Sequence, residues 1–596
     1  MEWLATVRWG SAVEADSRCL ASWLTVAARA TDMSAFERTS NLDRVSRNFS
    51  APSPVSRALL RPHSRPDRVV TLASVSATIP GRFIAENFSH SLRSETGGSV
   101  LLIHLESTAT PNSLQDWATL QPQVNGEFAL GQLLERTEAG VCILRLAVAG
   151  RLEESAWVAS LVEHCSRHFQ FVLLHAGSDA PISLLMGCFA VSHRTFLLLR
   201  PTSDDLYHLD LLHRETDAHP KGARFNLRTI ICREKGEEHF NELLKQMGDA
   251  VHGFVLGCPS VAAAEGLRHW PDRDFNSGIR RLAREASHRR VGLALSSGGA
   301  RGLAHIGVIQ VLEENGIEVD FIAGCSMGSY IGAVWAYGYD GVAMERLSRE
   351  VEHRWGLFEL IDPFILPRQG FLRGEKVKQR LKRSIGDVHF SELVRPLRIV
   401  ATDLATMGRV VFSSGEVAAA VHASSAIPGA CIPVNLNGEL YIDGGIADPL
   451  PVDVLEDLGI ERIIAVNTIP TPAYLKARMD MERERTERFG RRANKLKMLL
   501  NRYLNYFAPG NVLDTILRSF NGAQMRVAEY SALSADLVLR PLSFDGRWHD
   551  FRRPGKYIAI GRREAEEHLD EIKALVNRRE PLHELNPTHS TLVPAS

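Results

Sequence analysis

The chain has 596 residues, 45% of them hydrophobic and 23% charged, with a formal net charge of −1. This ordinary globular composition has room for two or three domains, and neither nucleic-acid binding nor an acidic solubility tail follows from its charge balance. Its eight cysteines stand singly, with neither a CxxC pair nor the spacing of a zinc site, so they read as free thiols in a reducing compartment and imply no metal.

Residues 1–66 read as a disordered leader, with nine arginines, no lysine, many Ser and Ala residues, and a Pro/Ser/Arg-rich end from Ala51 to Pro66. The apolar residues around Leu20–Ala28 are too few and too interrupted for a secretory h-region or a membrane span. Glu14, Asp16, Asp32, Glu37 and Asp43 argue against a transit peptide. No uninterrupted run of about 18 apolar residues occurs in the chain, so no transmembrane helix is predicted.

From 67 to 258, short apolar runs recur at Val69–Val75, Val100–Leu105, Val141–Val148, Phe171–His175, Phe196–Leu199, Thr229–Cys232 and Gly253–Leu256. Between several of them lie helix-period segments such as Phe83–Leu92, Glu154–His168 and Phe240–Met247. Continuous apolar strands alternating with helices predict an α/β domain with a parallel sheet covered on both faces. Where a P-loop would follow the first strand, Ser76-Ala77-Thr78-Ile79-Pro80-Gly81-Arg82 has neither the glycine spacing nor the lysine. The layout is therefore that of a nucleotide binder, and the role structural or regulatory, without an active nucleotide site. Residues 259–288, polar and charged from His269 onward, read as a linker.

Two glycine-rich turns follow, each between an apolar run and a helix-like segment. Ser297-Gly298-Gly299-Ala300-Arg301-Gly302 comes after Val291–Leu295 and opens a segment with apolar residues at Leu303, Ile306, Ile309, Val311 and Leu312. Consecutive N–H groups at such a helix start attract a phosphate or a tetrahedral oxyanion. Leu303 and Ala304 stand where a P-loop needs lysine and a hydroxyl, and no G-x-G-x-x-G begins at Gly298, so an oxyanion hole fits best. The second turn, Gly324-Cys325-Ser326-Met327-Gly328, fits G-x-S-x-G after Val319–Ala323, the pattern of a nucleophile elbow. Further on, Leu440-Tyr441-Ile442-Asp443-Gly444-Gly445 places an acid at the end of an apolar run, against two glycines.

In this order the three motifs resemble the patatin-like phospholipase family. The resemblance runs from about Arg290 to Ile469 and includes Ala401-Thr402-Asp403-Leu404, Ala423-Ser424-Ser425-Ala426-Ile427-Pro428-Gly429 and Pro449-Leu450-Pro451-Val452; Ser297 departs from it, since the family's oxyanion turn usually begins with glycine. It implies a patatin-like α/β hydrolase domain over 289–580. Ser326 would be the nucleophile, Asp443 its base, and Gly298, Gly299, Ala300, Arg301 and Gly302 the oxyanion turn. Gly324 and Gly328 would flank the elbow, and Gly444 and Gly445 would follow the acid. No metal or cofactor is implied. The substrate implied is a phospholipid or lysophospholipid carboxyl ester, and the leading alternatives are neutral-lipid or thioester hydrolysis and a non-catalytic lipid-binding regulator. A rival Ser–His–Asp triad would draw on His549, His568, His583 or His589, whereas His305 reads as a packed or solvated helix residue. The first α/β domain resembles the nucleotide-binding-like region that precedes the catalytic domain in neuropathy-target-esterase relatives.

Beyond the elbow, Asp340–Leu393 reads as amphipathic helices with an apolar cluster at Trp355–Ile361, which suits an acyl site, a bilayer or the core. Between Leu475 and Arg502 there are ten Lys or Arg against four Asp or Glu, and Leu496, Leu499, Leu500, Tyr503, Leu504 and Phe507 recur at helical spacing. This basic amphipathic insertion at about 475–507 suits either an anionic membrane surface or packing on the hydrolase. A last strand is expected at Asp536–Leu542, a helix at Ile558–Leu575, and a loose tail over 581–596. The whole predicts an α/β protein, cytoplasmic and in peripheral contact with the inner face of a membrane.

Overall fold

The computed structural model describes residues 68–106, 134–147, 156–219, 225–234, 251–350, 352, 372–489, 512–543, 546 and 549–578. The stretches 1–66, Phe240–Met247, Trp355–Ile361, 491–507 and 581–596 lie outside the described residues.

Eight strands build the first sheet: β1 (Val69–Ser74), β2 (Val100–Glu106), β3 (Glu135–Arg136), β4 (Cys142–Ala147), β5 (Phe171–Ala176), β6 (Arg194–Leu199), β7 (Leu227–Cys232) and β8 (Gly253–Val255). Their spatial order is β3-β4-β2-β5-β1-β6-β7-β8, and every pairing is parallel except that of the short edge strand β3. Burial on both faces explains the unbroken apolar runs: all six residues of β1, β5 and β6 are buried. Helices Gly81–Thr96, Ala156–Cys165, Ile182–Val191 and Ser203–Ala218 accompany this sheet. The sequence reading had not picked out the last two. Ile182–Val191 is nearly all apolar and shows no amphipathic period, while Ser203–Ala218 buries only Asp205, Leu209, Leu212 and Thr216.

The stretch 259–288, expected as a linker, instead carries the 14-residue helix Arg273–Ala286, whose first turn is capped by the Asp272 carboxylate. Phe275, Ile279, Leu282 and Ala286 recur at helical spacing and are buried in the first domain's core, with the Phe275 ring stacked on Phe83 at 5.8 Å. Its arginines give the stretch the polar signature of a solvated linker. Arg284 is buried: its Nε donates to Asp320 at 3.0 Å, and another guanidinium nitrogen donates to Glu318 at 2.6 Å. Arg194 pairs with Glu285. A buried cation is tolerable when carboxylates from neighbouring elements meet it, and only the folded chain supplies those.

The second sheet contains β9 (Val291–Leu295), β10 (Phe321–Cys325), β11 (Leu397–Asp403), β12 (Arg409–Phe412), β13 (Val434–Leu436), β14 (Glu439–Asp443), β15 (Arg462–Val466) and β16 (Leu537–Leu539). The order is β13-β14-β11-β10-β9-β15-β16, with β12 paired to β11. The centre, from β11 through β10, β9 and β15 to β16, is parallel; β12 and β14 pair antiparallel with β11, and β13 pairs antiparallel with β14. The fold is thus α/β, with two parallel-dominated sheets in succession. The region expected as one helix at Ile558–Leu575 is two, Pro554–Glu567 and Leu569–Asn577. Among the described residues no helix is long and apolar enough to cross a membrane.

Candidate active site

The apolar strand β10 ends at Cys325, and the helix Met327–Tyr337 begins two residues later. Ser326 sits between them at φ 52°, ψ −119°. An L-residue held there costs about 1–3 kcal/mol, so neighbouring structure must impose it. The two flanking glycines permit the turn. A Cβ on Gly324 would lie 2.7 Å from the Gly328 carbonyl oxygen, and one on Gly328 would lie 2.2 Å from the Leu295 carbonyl oxygen. Hydrogen bonds then hold the turn. The Ser326 N–H donates to Ser424 Oγ at 2.8 Å, Ser424 Oγ donates to the Val400 carbonyl at 2.6 Å, and Ser329 Oγ donates to the Ser326 carbonyl at 2.6 Å.

Asp443 reaches the same point from the antiparallel strand β14. Its register with β11 pairs Ala401 with Asp443, and the Thr402 hydroxyl donates to the Asp443 carbonyl at 3.0 Å. The Ser326 hydroxyl donates to Asp443 Oδ2 at 2.7 Å, and Asp443 Oδ1 accepts the Gly445 N–H at 2.7 Å. Only 1% of Asp443 is exposed, and burial raises its carboxyl from 3.8 to about 6 against the opposing pull of the Ser326 and Gly445 donors. Close packing fixes both glycines after it. A Cβ on Gly444 would lie 2.2 Å from the Val400 carbonyl oxygen, and one on Gly445 would lie 1.9 Å from Gln524 Nε2.

The first glycine turn leads into a short 3₁₀ segment, Gly299–Leu303, and then the helix Ala304–Glu314. Gly299 has φ 58°, and a Cβ on Gly298 would lie 2.2 Å from Thr468 Oγ1. Gly302 packs under the elbow, where a Cβ would lie 2.5 Å from Met327 Cγ. Ala300 is buried, and Arg301 turns its Nε back toward the Gly298 carbonyl at 3.4 Å. At Ser297, where the sequence departs from the family pattern, the N–H donates to the Pro449 carbonyl at 2.8 Å and the carbonyl accepts the Thr468 hydroxyl at 3.0 Å. His305 is wholly buried in the helix, and its Nε2–H donates to the Ser296 carbonyl at 2.9 Å. Burial lowers its pKa to about 4, so it is a neutral brace for the turn.

Residues 293–456 match the family model for patatin-like phospholipases. The chain carries a patatin-like phospholipase domain. An uncharacterized NTE family protein of Mycobacterium tuberculosis is 43% identical over 185 residues, which cover 31% of this chain and 50% of that one. Lysophospholipase nte1 of Aspergillus fumigatus is 35% identical over 231 residues, covering 39% of this chain and 15% of that one. The chain therefore spans half or less of the length of these relatives. A solved ParA family ATPase from Chlorobium tepidum is similar to 37% of the chain at 15% identity, with a TM-score of 0.31.

A cavity of about 370 Å³ opens on the patatin domain's elbow. Ser326 and Gly299 are at its wall, and Leu303, Ile331, Val334, Met344, Leu347 and Val377 make it largely apolar. Such a chamber can take a hydrocarbon chain with its carboxyl end beside Ser326 Oγ and the N–H groups of the first turn. Of the late histidines, His549 is exposed at this cavity, whereas His568 lies at a helix junction and donates to the Glu564 carbonyl at 2.9 Å; His583 and His589 lie outside the described residues.

Several supporting residues had no assigned role in the sequence reading. Thr402 and Ser424 lie in stretches that resemble the family, and their hydroxyls brace the acid and the elbow. Thr468 and Gln524 carried no local signal, because they reach the site from β15's exit and from the helix Val512–Ala532.

Proposed function

We propose that the chain is a serine lipid acyl hydrolase that cleaves carboxyl esters of phospholipids or lysophospholipids through Ser326 and Asp443. The observation behind this reading is the 2.7 Å hydrogen bond from Ser326 Oγ to Asp443 Oδ2, made at the wall of an apolar cavity. Ser326 Oγ attacks the ester carbon while its proton passes to Asp443 Oδ2, and the carbonyl oxygen takes up the negative charge. The N–H groups around Gly298, Gly299 and Ala300, at the start of a helix, are suited to receive it; one such donor contributes about 3–4 kcal/mol of barrier lowering. Collapse of the tetrahedral species expels the alcohol, which takes the proton from Asp443. Water then gives its proton to the same carboxylate and attacks the acyl-enzyme, and Ser326 Oγ leaves reprotonated. A carboxyl near 6 is a better base at neutral pH than an ordinary aspartate, yet still mostly ionised.

The lipid substrate places the enzyme in peripheral contact with a membrane, on the cytoplasmic side in the reading we favour. Purified full-length chain, assayed on defined phospholipids, lysophospholipids, neutral lipids and acyl thioesters with Ser326→Ala as control, tests the proposal. Release of fatty acid from the phospholipid or lysophospholipid, lowered about 10⁴-fold or more in the folded variant, is expected. Near-normal turnover by Ser326→Ala would remove the nucleophile. His549 lines the same cavity and supplies a second reading, a histidine-assisted triad. His549→Ala should leave the acylation rate within a few-fold under the dyad, and its collapse would favour the triad.

A further inference from the structure

We infer that the seam between the two sheets holds an anion site that takes a phosphate or phosphomonoester, away from the elbow. A cavity of about 360 Å³ is lined by Arg280, Arg284, Arg289 and Arg462, with Glu95 and Glu318 among the remaining lining residues. Its size is in the range of small-ligand sites. Its wall draws on the end of the helix Gly81–Thr96, the bridging helix Arg273–Ala286, the N-terminal ends of β9 and β15, the stretch 316–318 and the end of the helix Leu569–Asn577.

Arginines outnumber carboxylates among the described lining residues, and Arg284 draws a further carboxylate, Asp320 at 3.0 Å, from outside the wall. Among the described lining residues four arginines face two glutamates, and Glu318 serves two guanidinium groups at once, Arg280 at 2.7 Å and Arg284 at 2.6 Å. Arg462 is buried, and it donates to the carbonyls of Val576 and Arg578 at the end of the helix Leu569–Asn577. Those contacts cover carbonyls whose partial negative charge would otherwise repel an anion. The Arg280 Nε is buried without an acceptor, although its side chain is 42% exposed. A buried guanidinium N–H without an acceptor points to a missing anion or water. Arginines lining a polar cavity offer the planar donors that can bind phosphate oxygens in pairs.

The position suits a ligand that steadies the seam. β9 and β15 begin at this cavity and end at Ser296 and Thr468, which brace the oxyanion turn. Five residues of strand put the two sites on the order of 17 Å apart, at opposite ends of the same sheet. A ligand held by Arg280 and Arg462 together would tie the bridging helix to the hydrolase sheet, and would raise the melting temperature by binding the folded chain alone.

Calorimetry of the full-length chain with inorganic phosphate, against chloride at equal ionic strength, is the test. We expect one saturable site and a phosphate-dependent rise in melting temperature. Both should weaken about tenfold or more in Arg280→Gln/Arg289→Gln, since each charge-assisted hydrogen bond lost is worth at least that factor. Circular dichroism confirms that the variant is folded. If the double variant does not fold, the half-exposed Arg280→Gln alone is read in its place. No saturable site in the parent chain, or unchanged affinity in the variant, overturns the proposal. Glycerol 3-phosphate and phosphatidic acid vesicles identify the source. Vesicle binding displaced by inorganic phosphate means a lipid head group, and phosphate binding with no effect on vesicles means a soluble phosphate compound.

Discussion

Replacing Asp443 by asparagine should abolish hydrolysis and, at neutral pH, make the protein more stable. The carboxyl is 1% exposed and its pKa is raised from 3.8 to about 6, chiefly by burial. A raised folded pKa means that its contribution to stability is fully present below about pH 4 and is lost as pH rises through about 6. At about 1.4 kcal/mol per unit, ionising Asp443 costs the folded state about 3 kcal/mol at pH 7 and roughly half as much at pH 5. Asparagine keeps an oxygen for the Gly445 N–H and offers Ser326 Oγ a donor, which the hydroxyl can accept by turning, so the hydrogen bonds survive while the charge is removed. Thermal or urea unfolding of parent and Asp443→Asn, at pH 5 and at pH 7.5, measures the difference. Asp448 is also buried and raised to about 6, beside Arg409, so the parent's own pH profile mixes two groups, and the comparison with the variant isolates one. A gain at pH 7.5 clearly larger than at pH 5 is expected, together with loss of turnover. A variant no more stable than the parent at pH 7.5, or equally stabilised at both pH values, would refute the argument that this carboxylate is held ionised against its environment.

On a water-soluble ester, kcat/KM should rise with pH through an acid limb near 6 and then level off as Asp443 ionises; a limb near 4 would place the working base elsewhere. Ser424→Ala removes the acceptor of the Ser326 N–H and a donor to Val400, so we expect kcat to fall about tenfold with little change in KM, and an unaltered kcat would mean the elbow is held without it. No ATP or GTP binding tighter than about millimolar is expected in the first domain, because the phosphate cradle and its lysine are missing; the space a Cβ on Gly81 would take is already filled by Ser74 Oγ at 1.9 Å. A micromolar, magnesium-dependent site in calorimetry would overturn that. Glutamates at Arg491, Arg492, Lys495 and Lys497 should reduce flotation with anionic liposomes at low salt, since each basic residue near such a surface contributes about 1 kcal/mol; undiminished flotation would move the membrane contact elsewhere.

What the sequence determined by itself was local. Unbroken apolar runs marked every strand of the first sheet except the short edge strand β3, and β9, β10, β14 and β16 of the second, because a strand buried on two faces carries its signal without a partner; β11, β12, β13 and β15 were not picked out. The two glycine turns and the Asp-Gly-Gly turn were legible for a related reason. At Gly324, Gly328 and Gly444 a Cβ would strike backbone atoms, and this steric demand leaves glycine as its mark. The resemblance then linked three motifs that lie far apart in the chain.

The tertiary structure decided whatever depends on a partner from another element. The Ser326–Asp443 bond spans 117 residues, and its geometry comes from the β11–β14 register and from Thr402 and Ser424, whose hydroxyls look like any others in a strand or helix. The bridging helix Arg273–Ala286 passed for a linker because its arginines carry a solvent-like signature until Glu318 and Asp320 come to meet them. Charge in a sequence reads as exposure, and only the fold shows which charges are buried and neutralised.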